Sequence, residues 1–276
     1  MKQRWLVVAI GLPLLLLVLL ACPAWATMLL VCAIAGIAAY ELLHTAGKNV
    51  PTSIYLLTVA AAAAYEVLLY YSEWTFFGTI QTVTVLRWAF LMLLFFTAVH
   101  RFGGEKPFAF STLCAAVVGG IVFPAMYSCI GLLRNVSPAF VLMPFVIAFI
   151  GDSFSMLGGM AFGHKKFAPH VSPNKTWAGF LAGPVGSALG MVLLGLVAKL
   201  VWQMELPLWY LAVIGIAANL FGQLGDLSMS LIKREAGIKD YSHIFLTHGG
   251  VLDRFDSTLF LAPVVYAMLF LLEKLV

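Results

Sequence analysis

The stretch PAFVLMPFVIAFIGDSFSMLGGMAF, Pro138–Phe162, indicates the fold class of this chain. It exceeds the roughly 20 mostly apolar residues that a helix needs to cross a bilayer, and it contains a single charged residue, Asp152. Its apolar residues form a block and do not alternate with polar ones. This pattern predicts a membrane-spanning helix and argues against a strand of an outer-membrane barrel.

The composition extends this interpretation to the whole chain. Of the 276 residues, 62% are hydrophobic and 10% are charged, and the mean hydropathy is +1.00. A soluble domain carries about 25% charged residues, so a soluble enzyme, a disordered chain and a coiled coil are excluded. We predict an all-α, polytopic helical membrane protein. One membrane domain would cover residues 1–276, with N-terminal spans in 1–135 and a second half in 136–276.

Nine apolar blocks are long enough to serve as spans. They are Trp5–Ala21, Thr27–Leu43, Ser53–Tyr71, Phe76–Val99, Ala109–Leu132, Pro138–Phe162, Trp177–Trp202, Leu208–Lys233 and Asp253–Leu275.

The first block has two readings. Lys2 and Arg4, the apolar run and the small residues at 24–26 resemble a secretory signal with its cleavage site. A second span follows almost at once, so we expect a retained first helix.

Lysine and arginine residues near span ends predict the orientation, because cytoplasmic loops are enriched in them. With the N-terminus in the cytoplasm, twelve of these residues fall on the cytoplasmic side and three on the other. We therefore predict a cytoplasmic N-terminus and, with nine spans, a C-terminus on the opposite side.

Four of the five aspartates lie near the predicted cytoplasmic ends of spans six, eight and nine: Asp152, Asp226, Asp253 and Asp256. Charges within spans are costly and usually face a partner or a polar cavity. In span eight, a polar stripe with spacings of three and four residues predicts one helix face; its members are Asn219, Gln223, Asp226, Ser230 and Lys233. Simpler explanations exist for both patterns. The polar stripe could form hydrogen bonds between helices, and the acids at the start of span nine could compensate the helix dipole.

Basic loops flank these spans, at residues 163–177 and 233–250. The simpler explanations are that these loops set the orientation of the protein in the membrane or attract anionic lipid. Neither role explains why acidic residues lie on three spans. Carboxylates suit Mg²⁺, and lysine and arginine bind phosphate oxygens. The combination points to phosphoryl or nucleotidyl transfer, which relies on positioning and charge neutralisation.

Two segments lie near these acids. One runs from SLIKR at 230–234 through KD at 239–240 to HGGVLDRFDS at 248–257; the other is SPNKTW at 172–177, downstream of Asp152. Together they resemble the signature of a known family, the phosphatidate cytidylyltransferases, also called CDP-diacylglycerol synthases. The resemblance covers about residues 150–260 and so implies that 136–276 is the catalytic half, while residues 1–135 match only as apolar spans.

The resemblance implies site residues of two kinds. The implied metal ligands are Asp226, Asp253 and Asp256, with Asp152 nearby; Lys233 and His248 join the first three as catalytic candidates. The implied substrate-binding residues are Ser172, Asn174, Lys175, Thr176, Ser230, Arg234, Lys239, Asp240, Gly249, Gly250 and Arg254.

The implied reaction joins CTP and phosphatidic acid to give CDP-diacylglycerol and pyrophosphate, for phospholipid biosynthesis. The resemblance further implies Mg²⁺, with room for a second metal ion, contact with membrane lipids and no nucleic acid partner. It is compatible with a homodimer. We expect a multi-pass protein of the inner (cytoplasmic) membrane, with its site facing the cytoplasm.

Three alternatives stay open at this stage. A related CTP-using membrane enzyme could act on another lipid, such as a polyprenol or an archaeal ether lipid. A transporter could use Glu66 and Arg87, the acid and base that lie within spans three and four. A catalytically silent scaffold is the third, although each acid and lysine of the signature is present.

Overall fold

The computed structural model describes residues 2–71, 75–76, 80–104, 109–245 and 249–275. Within these ranges the chain forms α-helices, and two pairs of short antiparallel strands lie between them. The helices are α1 (Lys2–Leu16), α2 (Ala24–Ala46), α3 (Thr52–Tyr70), α4 (Thr82–His100), α5 (Phe110–Val117), α6 (Phe123–Val136), α7 (Pro138–Phe162), α8 (Trp177–Trp202), α9 (Leu208–Glu235) and α10 (Leu252–Leu275). The strands are β1 (Thr75–Phe76), β2 (Ile80–Gln81), β3 (Lys166–Ala168) and β4 (Ser172–Thr176).

Two π-helical turns lie next to α-helices and lengthen them. Leu17–Ala21 extends α1, and Val118–Val122 joins α5 to α6, so the fifth predicted span is one helix over Phe110–Val136. The predicted start of the fourth span at Phe76 is wrong. Residues 75–76 and 80–81 pair as antiparallel strands, and α4 begins only at Thr82.

Eight helices in the described part of the chain are long and apolar enough to cross a membrane, and Ala9–Ala21 forms a shorter apolar helix before them. The protein is therefore an all-α, polytopic membrane protein, as the sequence predicted. The number of nine spans and the cytoplasmic N-terminus stay predictions.

Contacts between Cα atoms divide the chain into two compact units. Unit 1 comprises Met1–Gly131 and Glu235–Arg254, and unit 2 comprises Leu132–Arg234 and Phe255–Val276. Helix α10 begins in unit 1 and continues in unit 2. A single membrane domain stays a prediction.

In unit 1, α2 packs against α3 and against the π-helical turn at 118–122. Small residues permit this approach, because a Cβ at Gly119 would lie only 3.1 Å from the Cα atom of Ala39. Leu43, Ile54 and Leu94 are among the residues of the apolar core. The small-residue contact is typical of helix pairs in membranes.

In unit 2, α7 and α8 pack extensively against each other, and glycines line the contact. A Cβ at Gly179 would lie 2.6 Å from the backbone oxygen of Ser155. Further along α8, a Cβ at Gly190 would lie 2.7 Å from the Cδ1 atom of Ile150. Met191, Leu211 and neighbouring apolar residues of α7 to α10 complete the core.

We expect Gly158→Ala to destabilise unit 2 by about 1–3 kcal/mol, the usual effect of overpacking. The added Cβ would lie 2.5 Å from the Cβ of Ala182, so α7 and α8 would have to separate. Thermal unfolding in detergent measures the loss. Gly131→Ala is the matched control, because apart from the chain neighbours and the backbone of its own helix, none of the described atoms lies within 4 Å of a Cβ there. Equal melting temperatures for the two variants would contradict the packing argument.

Candidate active site

The β3–β4 hairpin carries the SPNKT segment, which the sequence placed in a basic loop. Its strands pair antiparallel, with Lys166 opposite Thr176 and Ala168 opposite Ser172. The Thr176 hydroxyl accepts a hydrogen bond from the backbone N–H of Gly179 (3.2 Å) and so caps the N-terminus of α8. The segment is therefore held in a defined position at the start of α8.

Aromatic rings and one arginine attach the hairpin to the helices of unit 2. The ring of Phe167 stacks on Phe180, with centroids 4.4 Å apart, and meets the edge of Trp177 at 4.6 Å. The Arg234 side chain, at the end of α9, donates a hydrogen bond from Nε to the carbonyl oxygen of Val171 (3.2 Å). Arg234 thus supports the hairpin turn in this structure.

The predicted polar face of α9 has two parts. Gln223 donates from Nε2 to the Asn219 side chain (2.7 Å) and to the Phe180 carbonyl (3.1 Å), which is the helix-to-helix role considered above. One turn further, the Ser230 hydroxyl donates to Asp226 Oδ1 (3.4 Å). The Asp226 carboxylate also forms an ion pair with Lys175 of the hairpin.

Three carboxylates from three helices of unit 2 act electrostatically on one another. Asp152 of α7 interacts with Asp226 of α9, and Asp256 of α10 interacts with both. Lys175 acts on Asp152, and Lys233 acts on Asp256. This acidic group therefore combines three carboxyl groups with two lysine side chains.

A close approach of α9 and α10 brings two of these acids together. A Cβ at Gly225 would lie 2.8 Å from the backbone oxygen of Asp256, so only glycine permits this spacing beside Asp226. Asp256 Oδ1 accepts hydrogen bonds from the backbone N–H (2.7 Å) and hydroxyl (3.4 Å) of Ser257. Asp253 lies in the first turn of α10, and Asp256 follows it further along the same helix.

A cavity of about 460 Å³ opens between α7, the start of α8 and the hairpin. Its polar wall includes Asp152, Asn174 and Lys175. Its apolar wall includes Met156 and Met160, whose side chains are 60% and 74% exposed. The cavity can therefore receive a group that is charged at one end and apolar at the other.

The acidic group fits a magnesium ion that is bound together with phosphates. Mg²⁺ usually takes one or two protein carboxylates, and substrate phosphates and water complete its shell. In the described ranges, no three acidic, histidine or cysteine side chains converge to enclose an ion by themselves. Asp152, Asp226 and Asp256 would supply hard oxygen donors to such an ion, and the nearby Lys175 and Lys233 would suit phosphate oxygens.

In unit 1, Asp253 organises the loop that leads into α10. Its described residues 241–245 and 249–252, which reach the first residue of α10, are here called the signature loop. Asp253 Oδ2 accepts hydrogen bonds from the backbone N–H groups of Tyr241 (2.8 Å) and Gly250 (2.9 Å). Gly249 has a φ of +80°, a conformation that favours glycine. Asp253 is buried and lies in the first turn of α10.

The remaining predicted residues have plainer surroundings. Lys239 and Arg254 in unit 1 and Asn174 in unit 2 are exposed, and Asp240 and Ser172 are half-buried. His248 lies outside the described residues. Because the predicted residues fall in both units, the complete four-aspartate metal site stays a prediction.

One residue that the sequence analysis overlooked touches the signature loop. Glu41 of α2 is buried and accepts hydrogen bonds from the backbone N–H groups of Val251 (3.0 Å) and Leu252 (2.8 Å). Glu41 is the only acid in its span, and an acid within a span is by default a candidate functional residue. That signal was present in the sequence.

The pair considered for transport does not form an ion pair. Arg87 donates a hydrogen bond to the hydroxyl of Tyr65, and its guanidinium carbon lies 4.9 Å from the centroid of that ring. Glu66 is buried, and its Oε1 atom has no hydrogen-bond partner among the described residues. These contacts favour separate interior interactions.

Known proteins are similar to this chain over most of its length. A family model described as "Cytidylyltransferase family" matches residues 2–272. The phosphatidate cytidylyltransferase of Bacillus subtilis (strain 168) is 33% identical over 210 residues, which cover 72% of this chain and 72% of that protein.

Two further relatives carry the same name. The protein of Staphylococcus saprophyticus is 30% identical over 211 residues, covering 76% of this chain and 78% of the relative. The protein of Rickettsia felis is 35% identical over 163 residues, covering 57% and 71%.

We expect Thr176→Ala to lower the stability of the folded protein by about 1 kcal/mol, because α8 loses its N-cap. Thr176→Ser keeps the hydroxyl and should stay close to the wild type. Thermal unfolding in detergent compares the two variants. An alanine variant as stable as the serine variant would show that this hydroxyl does not act as a cap.

Proposed function

Because the chain belongs to the cytidylyltransferase family, and is thus a membrane-embedded nucleotidyltransferase, we propose that it transfers a cytidylyl group from CTP to phosphatidic acid. The products are CDP-diacylglycerol and pyrophosphate, and the reaction serves phospholipid biosynthesis. The relatives named phosphatidate cytidylyltransferase support this choice of substrate.

The observation that carries the proposal is the ion pair between Lys175 and Asp226 beside the acids of α7 and α10. Nucleotidyl transfer needs opposite charges in one place, because cations bind substrate phosphates while carboxylates hold a metal ion. In unit 2, Lys175 and Lys233 provide the cations and Asp152, Asp226 and Asp256 the carboxylates.

The cavity of unit 2 suits the lipid substrate. Lys175 at the polar wall would bind the phosphate of phosphatidic acid through charge-assisted hydrogen bonds. The exposed side chains of Met156 and Met160 continue the cavity with apolar surface, along which acyl chains would lie. A water-soluble phosphomonoester would leave this apolar wall unused.

The loop of unit 1 suits a nucleotide phosphate. A glycine backbone lets phosphate oxygens approach closely, and Gly249 and Gly250 lie shortly before α10. The N–H of Gly250 is already donated to Asp253, so these glycines would contribute space for the phosphate. The exposed side chains of Lys239 and Arg254 add positive charge to the same segment. His248 would donate a hydrogen bond to a substrate.

The chemical step is a direct displacement. An oxygen of the phosphatidate phosphate forms a bond to the α-phosphorus of CTP, and the bond from that phosphorus to the bridging oxygen of the β-phosphate breaks. The electron pair leaves with pyrophosphate. The attacking phosphate monoester is ionised near neutral pH, so no protein nucleophile and no strong general base are needed.

Mg²⁺, held by the aspartates and by substrate phosphates, would neutralise charge on the triphosphate and on the departing pyrophosphate. Lys175 and Lys233 would orient phosphate oxygens, and the helices would exclude bulk water. The excess of lysine and arginine on one predicted side supports a site at the cytoplasmic face of the inner membrane, where CTP is available.

We expect the purified protein in detergent to form CDP-diacylglycerol from CTP and phosphatidic acid when Mg²⁺ is present. EDTA should stop product formation and excess Mg²⁺ should restore it, because the triphosphate would lose its counter-ion. Separation of radiolabelled lipid products measures the reaction. Polyprenyl phosphate and an archaeal ether-lipid phosphate belong in the same panel, since a preference for either would contradict the proposed substrate.

We expect Asp226→Asn and Asp253→Asn each to lower kcat by at least about 100-fold, the scale for losing one group that stabilises transition-state charge. Asparagine keeps an oxygen that can accept the loop hydrogen bonds of Asp253, so folding should survive. Glu205→Gln is the control, because Glu205 is an exposed acid that pairs with Lys199 (2.9 Å). Near-normal turnover of either folded aspartate variant would remove that residue from the proposed site.

A further inference from the structure

Glu41 places a carboxylate at the start of α10, although it lies on α2. Its Oε1 atom accepts hydrogen bonds from the backbone N–H of Val251 (3.0 Å) and from the hydroxyl of Ser242 (2.5 Å). Its Oε2 atom accepts from the backbone N–H of Leu252 (2.8 Å). Three donors from the signature loop therefore point at one side chain.

These contacts satisfy groups that a helix cannot satisfy itself. The first N–H groups of α10 have no partner within the helix, and the positive end of the helix dipole favours a negative charge there. Glu41 is 1% exposed, and burial of a charge is costly unless hydrogen bonds compensate it. The three donors supply that compensation, so the carboxylate and the loop stabilise each other.

The loop backbone is shaped to receive this side chain. A Cβ at Gly250 would overlap Glu41 Oε1 and would lie 2.6 Å from the hydroxyl oxygen of Ser242. Glycine at position 250 therefore leaves the space that the carboxylate fills. On the other side of the loop, Asp253 accepts from Gly250 and Tyr241, so two carboxylates hold the loop backbone between them.

We infer that Glu41 is a positioning residue for the transfer reaction. It fixes the backbone at residues 250–252, and through that backbone it sets the start of the helix that carries Asp253 and Asp256. It does not need to touch a substrate. The effect on turnover rests on the proposed function, in which this loop binds a CTP phosphate, whereas the hold on the loop is independent of it.

Substitution of Glu41 by glutamine keeps the size of the side chain but removes its charge and one of its two acceptor oxygens. An amide has one acceptor oxygen and one donor NH₂ group, so either orientation turns a donor toward a backbone N–H or the Ser242 hydroxyl. We expect Glu41→Gln to lower kcat/KM for CTP by about 10- to 100-fold, the scale for one lost hydrogen bond to a charged group. Ser242→Ala removes one donor and should have a smaller effect in the same direction.

The second readout is hydrogen exchange of the peptide that covers residues 249–256. In Glu41→Gln we expect the amides of Val251 and Leu252 to exchange at least about 10-fold faster, because their acceptors are disturbed. Glu66→Gln is the matched control. Glu66 is a buried acid of the same unit, and within the described residues it makes no hydrogen bond to this loop; its variant should keep both wild-type activity and wild-type exchange.

The outcomes decide between the claims. Wild-type exchange and wild-type kcat/KM in a folded Glu41→Gln variant would overturn the inference, and so would faster exchange without any loss of kcat/KM. If Glu41→Gln does not fold, Glu41→Asp and Ser242→Ala take its place in both measurements. If the wild type forms no product from CTP and phosphatidic acid, the proposed function fails, while the exchange experiment still decides whether Glu41 holds the loop.

Discussion

Polar groups that lie among apolar helices must find their partners within the protein, because the hydrocarbon core of a bilayer offers none. Much of the architecture described above follows from this constraint. Gln223 on α9 reaches the Phe180 carbonyl on α8. One turn further, Asp226 meets Lys175 from the hairpin. One face of α9 thus forms a hydrogen bond to a neighbouring helix at Gln223 and an ion pair one turn later at Asp226.

Close packing makes these pairings geometrically feasible. Glycines along α8 let α7 approach closely, as at Gly179 beside the Ser155 carbonyl, and van der Waals contact between small residues drives such association in membranes. Gly225 does the same between α9 and α10, directly before Asp226. Carboxylates on different helices therefore lie close enough to influence one another, a requirement for a shared cation.

The signature loop in unit 1 shows a different use of carboxylates. The carboxylates of Asp253 and Glu41 accept hydrogen bonds from backbone N–H groups, and so they order the loop at the start of α10. A substrate-binding loop gains from such preorganisation, because its backbone then needs no rearrangement when a substrate arrives. An acid in a membrane enzyme can thus contribute through the backbone that it holds as well as through a metal ion.

Local pattern alone determined the helical membrane class, most span boundaries and the polar face of α9, because apolar blocks and spacings of three and four residues report helices without tertiary knowledge. The signature residues were also visible in the sequence. Only the tertiary structure decided that the SPNKT segment is a strand of a hairpin, that Lys175 pairs with Asp226, and that Glu41 holds Leu252. The last two residues are 211 positions apart, and no local periodicity encodes a contact between side chains or backbone groups so distant along the chain.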